Sequence, residues 1–183
     1  DKKEAIKYYK KAIKNGNTHS MVSYADMLCY GDGIPSNKEK AIKYYKKAIE
    51  KGSSDALHNY ALLLSENDEK KSKEEALEYF KELINIGDES SMYNYAVMLL
   101  NGDGIEKNEE EAIKYLKMAI EKEYSSAMYI YGRLLIKRNE EEEGMKYLNM
   151  SIEKGNVEAM KYYGDMLFNG DKNIEMNKEE GLK

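Results

Sequence analysis

The stretch AIKYYKKAI at Ala5–Ile13 returns letter for letter at Ala41–Ile49. Looser copies follow as ALEYFKELI from Ala76, AIKYLKMAI from Ala112 and GMKYLNMSI from Gly144, so successive starts lie 36, 35, 36 and 32 residues apart. A sixth copy opens at Gly181 and is cut off after Lys183. Recurrence at this period is the mark of a stacked supersecondary unit. Within the first copy Ala5, Ile6, Tyr9, Ala12 and Ile13 fall at three- and four-residue steps, which is one face of an amphipathic helix.

A second unit recurs between the copies: MVSYADML from Met21, LHNYALLL from Leu57, MYNYAVML from Met92, MYIYGRLL from Met128 and MKYYGDML from Met160. Its fixed columns are Met or Leu, Tyr three residues later, then Ala or Gly, and Leu four residues after the Tyr, again a single helical stripe. The chain therefore alternates this helix, A, with the first-described helix, B. Small residues at Ala25, Ala61, Ala96, Gly132 and Gly164 in helix A, and at Ala12, Ala48 and Ala119 in helix B, allow close approach. Leu83 and Ser151 interrupt the latter column and predict local adjustment. One such pair cannot cover its own apolar faces, so the pairs must stack. The expected fold is all-α, an α-solenoid of antiparallel helix pairs with about 36 residues per repeat and no β-sheet.

Helix ends are also legible. Asn37, Ser72, Asn108 and Asn177 stand where helix B should be N-capped, and Glu75, Glu111 and Glu180 three residues on complete a capping-box pattern. Gly16, Gly52, Gly87 and Gly155 follow helix B and suit a left-handed C-terminal turn, whereas the fourth copy has Glu123 there and should be strained or differently capped. Because the chain begins in helix B and ends at the start of another, it reads as one domain over 1–183. That domain is about five helix pairs plus the start of a further helix, excised from a longer array.

The stretch YADMLCYGDGIPSNKEKAIKYYKKAIEKG, Tyr24–Gly52, resembles a Sel-one-like repeat (SLR), a relative of the tetratricopeptide repeat. The resemblance rests on the small residue of helix A, the Gly-x-Gly turn, the Tyr-Tyr-Lys-Lys-Ala run and the closing Gly, and it spans nearly the whole chain. It implies a right-handed superhelix with helix A lining the concave side, and an adaptor role in multiprotein assemblies. The second copy departs from the pattern with SENDEKKS in place of Gly-x-Gly, and the fourth has a shortened connection. Family relatives that bind β-lactams look cysteine-rich with a disulfide in each repeat, which one cysteine cannot supply.

Composition narrows function further. A net charge of -5 with both signs interspersed gives no basic field for nucleic acid, and no apolar run reaches the roughly 20 residues of a membrane span. Cys29 is the single cysteine, which rules out an intrachain disulfide and fits a reducing compartment or indifference to redox state. Gly31-Asp32-Gly33 and Gly102-Asp103-Gly104 recur at one repeat position without the lysine of a phosphate loop or the ligand series of a calcium loop, and read as turns. His19 and His58 lack partners at metal-ligand spacing, Cys29 lacks an activating neighbour, and Glu140–Glu143 reads as a solvated face. No catalytic, cofactor or metal residue is expected, so the chain reads as no enzyme.

Twelve of the seventeen tyrosines occupy repeat columns and read as packing residues; Tyr30, Tyr93, Tyr124, Tyr129 and Tyr162 do not. On helix A, positions two before, two after and five after the column tyrosine form a face that varies between repeats. In repeats three and four that face carries Tyr93, Val97, Leu100, Tyr129 and Ile136 around Arg133. Apolar residues on a face expected to be solvated either mark an interaction site or pack against the next repeat or the superhelix interior. These six are the expected contacts for a protein or peptide partner in the concave groove. The alternatives are a small-ligand or hydrolase-like module on the same scaffold, or an architectural spacer.

Overall fold

The structure, a computed structural model, describes residues 1–169, and these form ten α-helices and no strand. Helix B recurs as α1 (Lys2–Lys14), α3 (Lys38–Ile49), α5 (Lys70–Asn85), α7 (Glu109–Glu121) and α9 (Glu141–Glu153). Helix A recurs as α2 (Thr18–Tyr30), α4 (Ser54–Ser65), α6 (Glu89–Asn101), α8 (Ser125–Lys137) and α10 (Val157–Phe168). The all-α repeat architecture expected from the sequence is thus borne out. The proposed cap at Asn177 with Glu180, and the copy from Gly181, lie outside the described residues.

The helices fall into two compact units, Asp1–Ser91 with Asp103–Ile105, and Met92–Gly102 with the residues from Glu106 onward. In the first, each of α1 to α4 packs on its successor; in the second, α7 packs on α8, α8 on α9 and α9 on α10. The cores are made of the repeat columns. Tyr24, Tyr60, Tyr95 and Tyr131 are at most 5% exposed, and Ala25, Ala61 and Ala96 are fully buried. The column tyrosines of α2, α4, α6 and α8 meet the first column tyrosine of the following helix B: Tyr24 with Tyr44 at 5.0 Å, Tyr60 with Tyr79 at 5.7 Å, Tyr95 with Tyr115 at 4.8 Å and Tyr131 with Tyr147 at 4.9 Å between ring centroids. Three of the four are edge-on, the arrangement that ring quadrupoles favour. A lysine of the preceding helix B covers the ring of Tyr24 (Lys10), of Tyr60 (Lys46) and of Tyr131 (Lys117).

Helix ends follow the sequence with two corrections. Asn37 and Asn108 cap α3 and α7, accepting from the amides of Lys40 and Glu111. Glu111 does not close a full capping box, because the Asn108 amide donates to the Leu99 carbonyl and only the Asn108 side chain reaches the glutamate. Ser72 is no cap at all: without a Gly-x-Gly turn ahead of it, α5 starts early at Lys70 with Glu69 before it. Glu75 instead accepts from the Tyr79 hydroxyl at 3.0 Å.

Gly16, Gly52, Gly87 and Gly155 are left-handed as expected. Glu123 is forced into the same conformation at φ 62, held by the Tyr124 amide on the Ala119 carbonyl at 3.0 Å, the bond that closes the other B-helix ends. Asn139 at φ 63 does the same for α8 and makes the shortened turn into α9. There α8 and α9 come together backbone to backbone. A Cβ on Gly144 would lie 2.6 Å from Ile136 Cγ1 and 2.8 Å from the Gly132 carbonyl oxygen. Ser151, in the interrupted small column, adjusts by donating its hydroxyl to the Ser125 carbonyl at 2.8 Å.

The Gly-Asp-Gly segments are turns with both glycines left-handed. Each also docks on a lysine 30 residues earlier: Asp32 on Lys2, and Asp103 on Lys73 at 2.9 Å. A Cβ on Gly33 or Gly104 would strike that lysine at 2.8 and 2.6 Å respectively. The second glycine and the aspartate therefore form one interlocking contact, a relation the local motif alone does not reveal.

Candidate functional site: the helix-A faces

Steps of four and three residues place Tyr93, Val97 and Leu100 along one stripe of α6, and Tyr129, Arg133 and Ile136 along the matching stripe of α8. Arg133 is exposed and the other five are half-buried. Tyr129 and Ile136 pack against the cluster Met145, Leu148, Ala159 and Met166, so each gives part of its surface to the core of the second unit. Arg133 lies across two rings, its guanidinium carbon 5.3 Å from the Tyr129 centroid and 5.1 Å from that of Tyr162, while Nη1 donates to the Tyr129 hydroxyl at 3.3 Å. The two rings are themselves 6.0 Å apart, and Tyr93 pairs with Tyr124 at 5.5 Å. Four of the five off-column tyrosines thus gather on this unit, whereas Tyr30 stands elsewhere, 77% exposed.

Burial pushes the Tyr93 phenol above its ordinary value, and the neighbouring Tyr124 and Tyr129 push it the same way, so it stays a hydrogen-bond donor. Among the described residues no carboxylate pairs with Arg133. The arrangement is an aromatic surface carrying one clamped cation, suited to a planar carboxylate or a further ring.

The corresponding face of the first unit is different and was missed in the sequence. It is a cleft of about 480 Å³ between α2, α4 and the turn from α5 into α6. Asp26 Oδ1 accepts from the Tyr45 hydroxyl at 2.5 Å and from Asn59 Nδ2 at 3.0 Å. Burial, then the bond to Asp26, drives the Tyr45 phenol far above its usual range. His58 Nδ1 lies 3.1 Å from the Ser91 hydroxyl and 3.5 Å from Asp88 Oδ1. Burial lowers the His58 pKa, against the pull of Asp88 and Asp55. Burial alone would raise Asp88, but the Ser91 hydroxyl and amide, Ser90 and His58 together hold its carboxyl below the ordinary value. The sequence signal for Asp88 was its place directly after the left-handed Gly87, where Asn17, Ser53 and Asn156 also cap helix A.

Serine, histidine and aspartate here do not make a hydrolytic relay. A relay needs the nucleophile and the orienting carboxylate on opposite ring nitrogens, whereas the fully buried Ser91 and Asp88 share Nδ1, and Ser90 Oγ, 3.4 Å from Nδ1 and 3.5 Å from Nε2, is spent donating to Asp88 itself at 2.9 Å. Burial likewise pushes the Cys29 thiol up, away from the thiolate a nucleophile requires. Among the described residues no three His, Cys, Asp or Glu side chains converge as metal ligands, and no helix is long and apolar enough to cross a membrane.

No curated protein sequence matches the chain. Among solved structures it is similar to a Sel1 repeat protein from Oxalobacter formigenes, 26% identical over 91% of this chain and 70% of that one, with a TM-score of 0.77. It is also similar to c5321, a protective antigen of uropathogenic Escherichia coli with an SLR fold, at 22% identity over 94% of this chain and 38% of that one, TM-score 0.67. The immunity protein Pa5087 from Pseudomonas aeruginosa shares the fold at 17% identity, covering 84% of this chain and 59% of that one, TM-score 0.61. Proteins built on this fold generally serve as interaction scaffolds and are typically not enzymes. The Sel1 repeat profile matches residues 1–17, 18–53, 54–88, 89–124, 123–156 and 157–183, and the chain belongs to the Sel1 repeat family.

Proposed function

We propose that this chain is an adaptor that binds a peptide segment of a partner protein on the helix-A face of α6 and α8. Tyr93 and Tyr129 are the amphipathic anchors, Val97, Leu100 and Ile136 supply apolar contact, and Arg133 pairs with a partner carboxylate. The observation that carries the reading is the guanidinium held across Tyr129 and Tyr162 with no carboxylate of the described chain on it. A side chain already fixed in place loses little freedom on binding, and buried tyrosine and arginine contacts often contribute ~2 kcal/mol or more each.

Selection of displayed random peptides on the intact chain tests this. Enriched sequences should combine an Asp or Glu with an aromatic or aliphatic neighbour, and selection on Arg133→Glu should lose that acidic preference. Enrichment without acidic residues, or unchanged by Arg133→Glu, would remove the assignment. Tyr129→Ala is the wrong probe, since it also strips contact from the Met145 and Leu148 cluster; Tyr129→Phe leaves the packing and deletes only the hydroxyl.

A further inference from the structure

We propose that the cleft on the helix-A face of the first unit is a second recognition site, which takes a lysine or arginine side chain from an extended basic peptide. It lies wholly within that unit and stands without the reading given for α6 and α8. Asp26, Asp55 and Asp88 line the cleft, and no lysine or arginine does, in a chain with 29 of them. Elsewhere the aspartates Asp32 and Asp103 each hold a lysine of the chain, whereas in the cleft the single ion-pair contact is that of His58 with Asp88. Burial favours the neutral form of that histidine, so it leaves the cleft anionic near neutral pH. Both hydrogen bonds to Asp26 fall on Oδ1, which leaves Oδ2 as an acceptor.

The rest of the lining fits the same guest. Val22 and Leu83 are buried beneath the cleft, and Ile86 stands 70% exposed at its side, giving apolar surface for an aliphatic stem while carboxylates meet the charged head. A volume of about 480 Å³ accommodates such a side chain with part of its backbone. A bare metal ion fits poorly, because the carboxylates are spread along the cleft and no three ligating groups converge. Opposite charge across the contact also gives the selectivity, since an acidic segment is repelled.

The probe is a fluorescein-labelled Lys-Ser repeat peptide, with a Glu-Ser repeat as counterpart, followed by fluorescence anisotropy at physiological salt. Asp55→Asn with Asp88→Asn removes two charges while asparagine keeps the cap of α6. Glu142→Gln with Glu143→Gln removes the same net charge from exposed positions of α9. The first pair should weaken Lys-Ser binding about tenfold and the second less than about twofold. Equal losses in the two, or Lys-Ser binding no tighter than Glu-Ser, would overturn the proposal. If the double variant melts early, Asp55→Asn alone decides: it is exposed, and it should still weaken the peptide by about threefold. No loss there is equally fatal. Arg133→Glu should not weaken this peptide, so failure of either site is separable from failure of the other.

Discussion

Gly144→Ala is expected to destabilise the second unit although alanine is the better helix former. The new Cβ would lie 2.6 Å from Ile136 Cγ1, 2.8 Å from the Gly132 carbonyl oxygen and 2.9 Å from the Ile136 nitrogen. Two of those three atoms are backbone, so no rotamer change relieves them and α8 and α9 must separate. Overpacking of a tight interface costs about 1–3 kcal/mol, and a backbone clash belongs at the upper end. Replacing glycine inside a helix returns about 1 kcal/mol. The net expectation is a loss of about 1–2 kcal/mol. Gly132→Ala meets the Gly144 carbonyl oxygen at 2.8 Å and should behave alike. The double variant should lose less than the sum, because the first methyl already opens the interface that the second would enter. Urea denaturation followed by circular dichroism measures all three. A Gly144→Ala protein as stable as its parent would refute the close approach of α8 and α9.

Other outcomes follow from single positions. Glu123→Gly should stabilise by about 0.5–1 kcal/mol, because glycine carries φ 62 without a Cβ penalty, while the Lys154 contact it removes is solvent-exposed and contributes little; a lower melting temperature would contradict this. Ala96→Leu, at a fully buried column position, should cost ~1–3 kcal/mol by overpacking in the same denaturation assay. His58 has a folded-state pKa below its ordinary 6.5, so in the window between the two values the unfolded chain holds a proton that the folded chain does not. Its contribution is complete above the ordinary value and is lost as pH falls through the folded value. Melting temperatures should therefore drop more steeply on acidification in the parent than in His58→Gln, and parallel profiles would count against it.

The fold was legible because its information is periodic: the same columns that repeat in the sequence are those that pack, as with Tyr24, Tyr60, Tyr95 and Tyr131. Caps made by a residue on its near neighbours, such as Asn37 and Asn108, were equally readable. What escaped were relations across about 30 residues. Lys2 with Asp32, Lys73 with Asp103, and His58 with Asp88 join successive repeats, and nothing local marks one aspartate as held by a lysine and another as lining a cleft. Ser72 was misread because a cap depends on where the preceding turn ends, and SENDEKKS supplies no glycine to end it. The variable helix-A face was visible as a column, yet the division of Tyr129 and Ile136 between core and surface depends on α9 and α10 packing beneath them.

The most direct test of the adaptor reading is site-specific photocrosslinking. Leu100→p-benzoylphenylalanine places the reactive ketone on the proposed face of α6, and Lys114→p-benzoylphenylalanine places it on an exposed position of α7. With an acidic, aromatic-containing peptide selected on the parent chain, crosslinking is predicted from position 100, weak from position 114, and abolished at position 100 when Arg133→Glu is added. Equal yields from the two positions, or a yield at position 100 that Arg133→Glu leaves intact, would contradict the claim that α6 and α8 bind the partner.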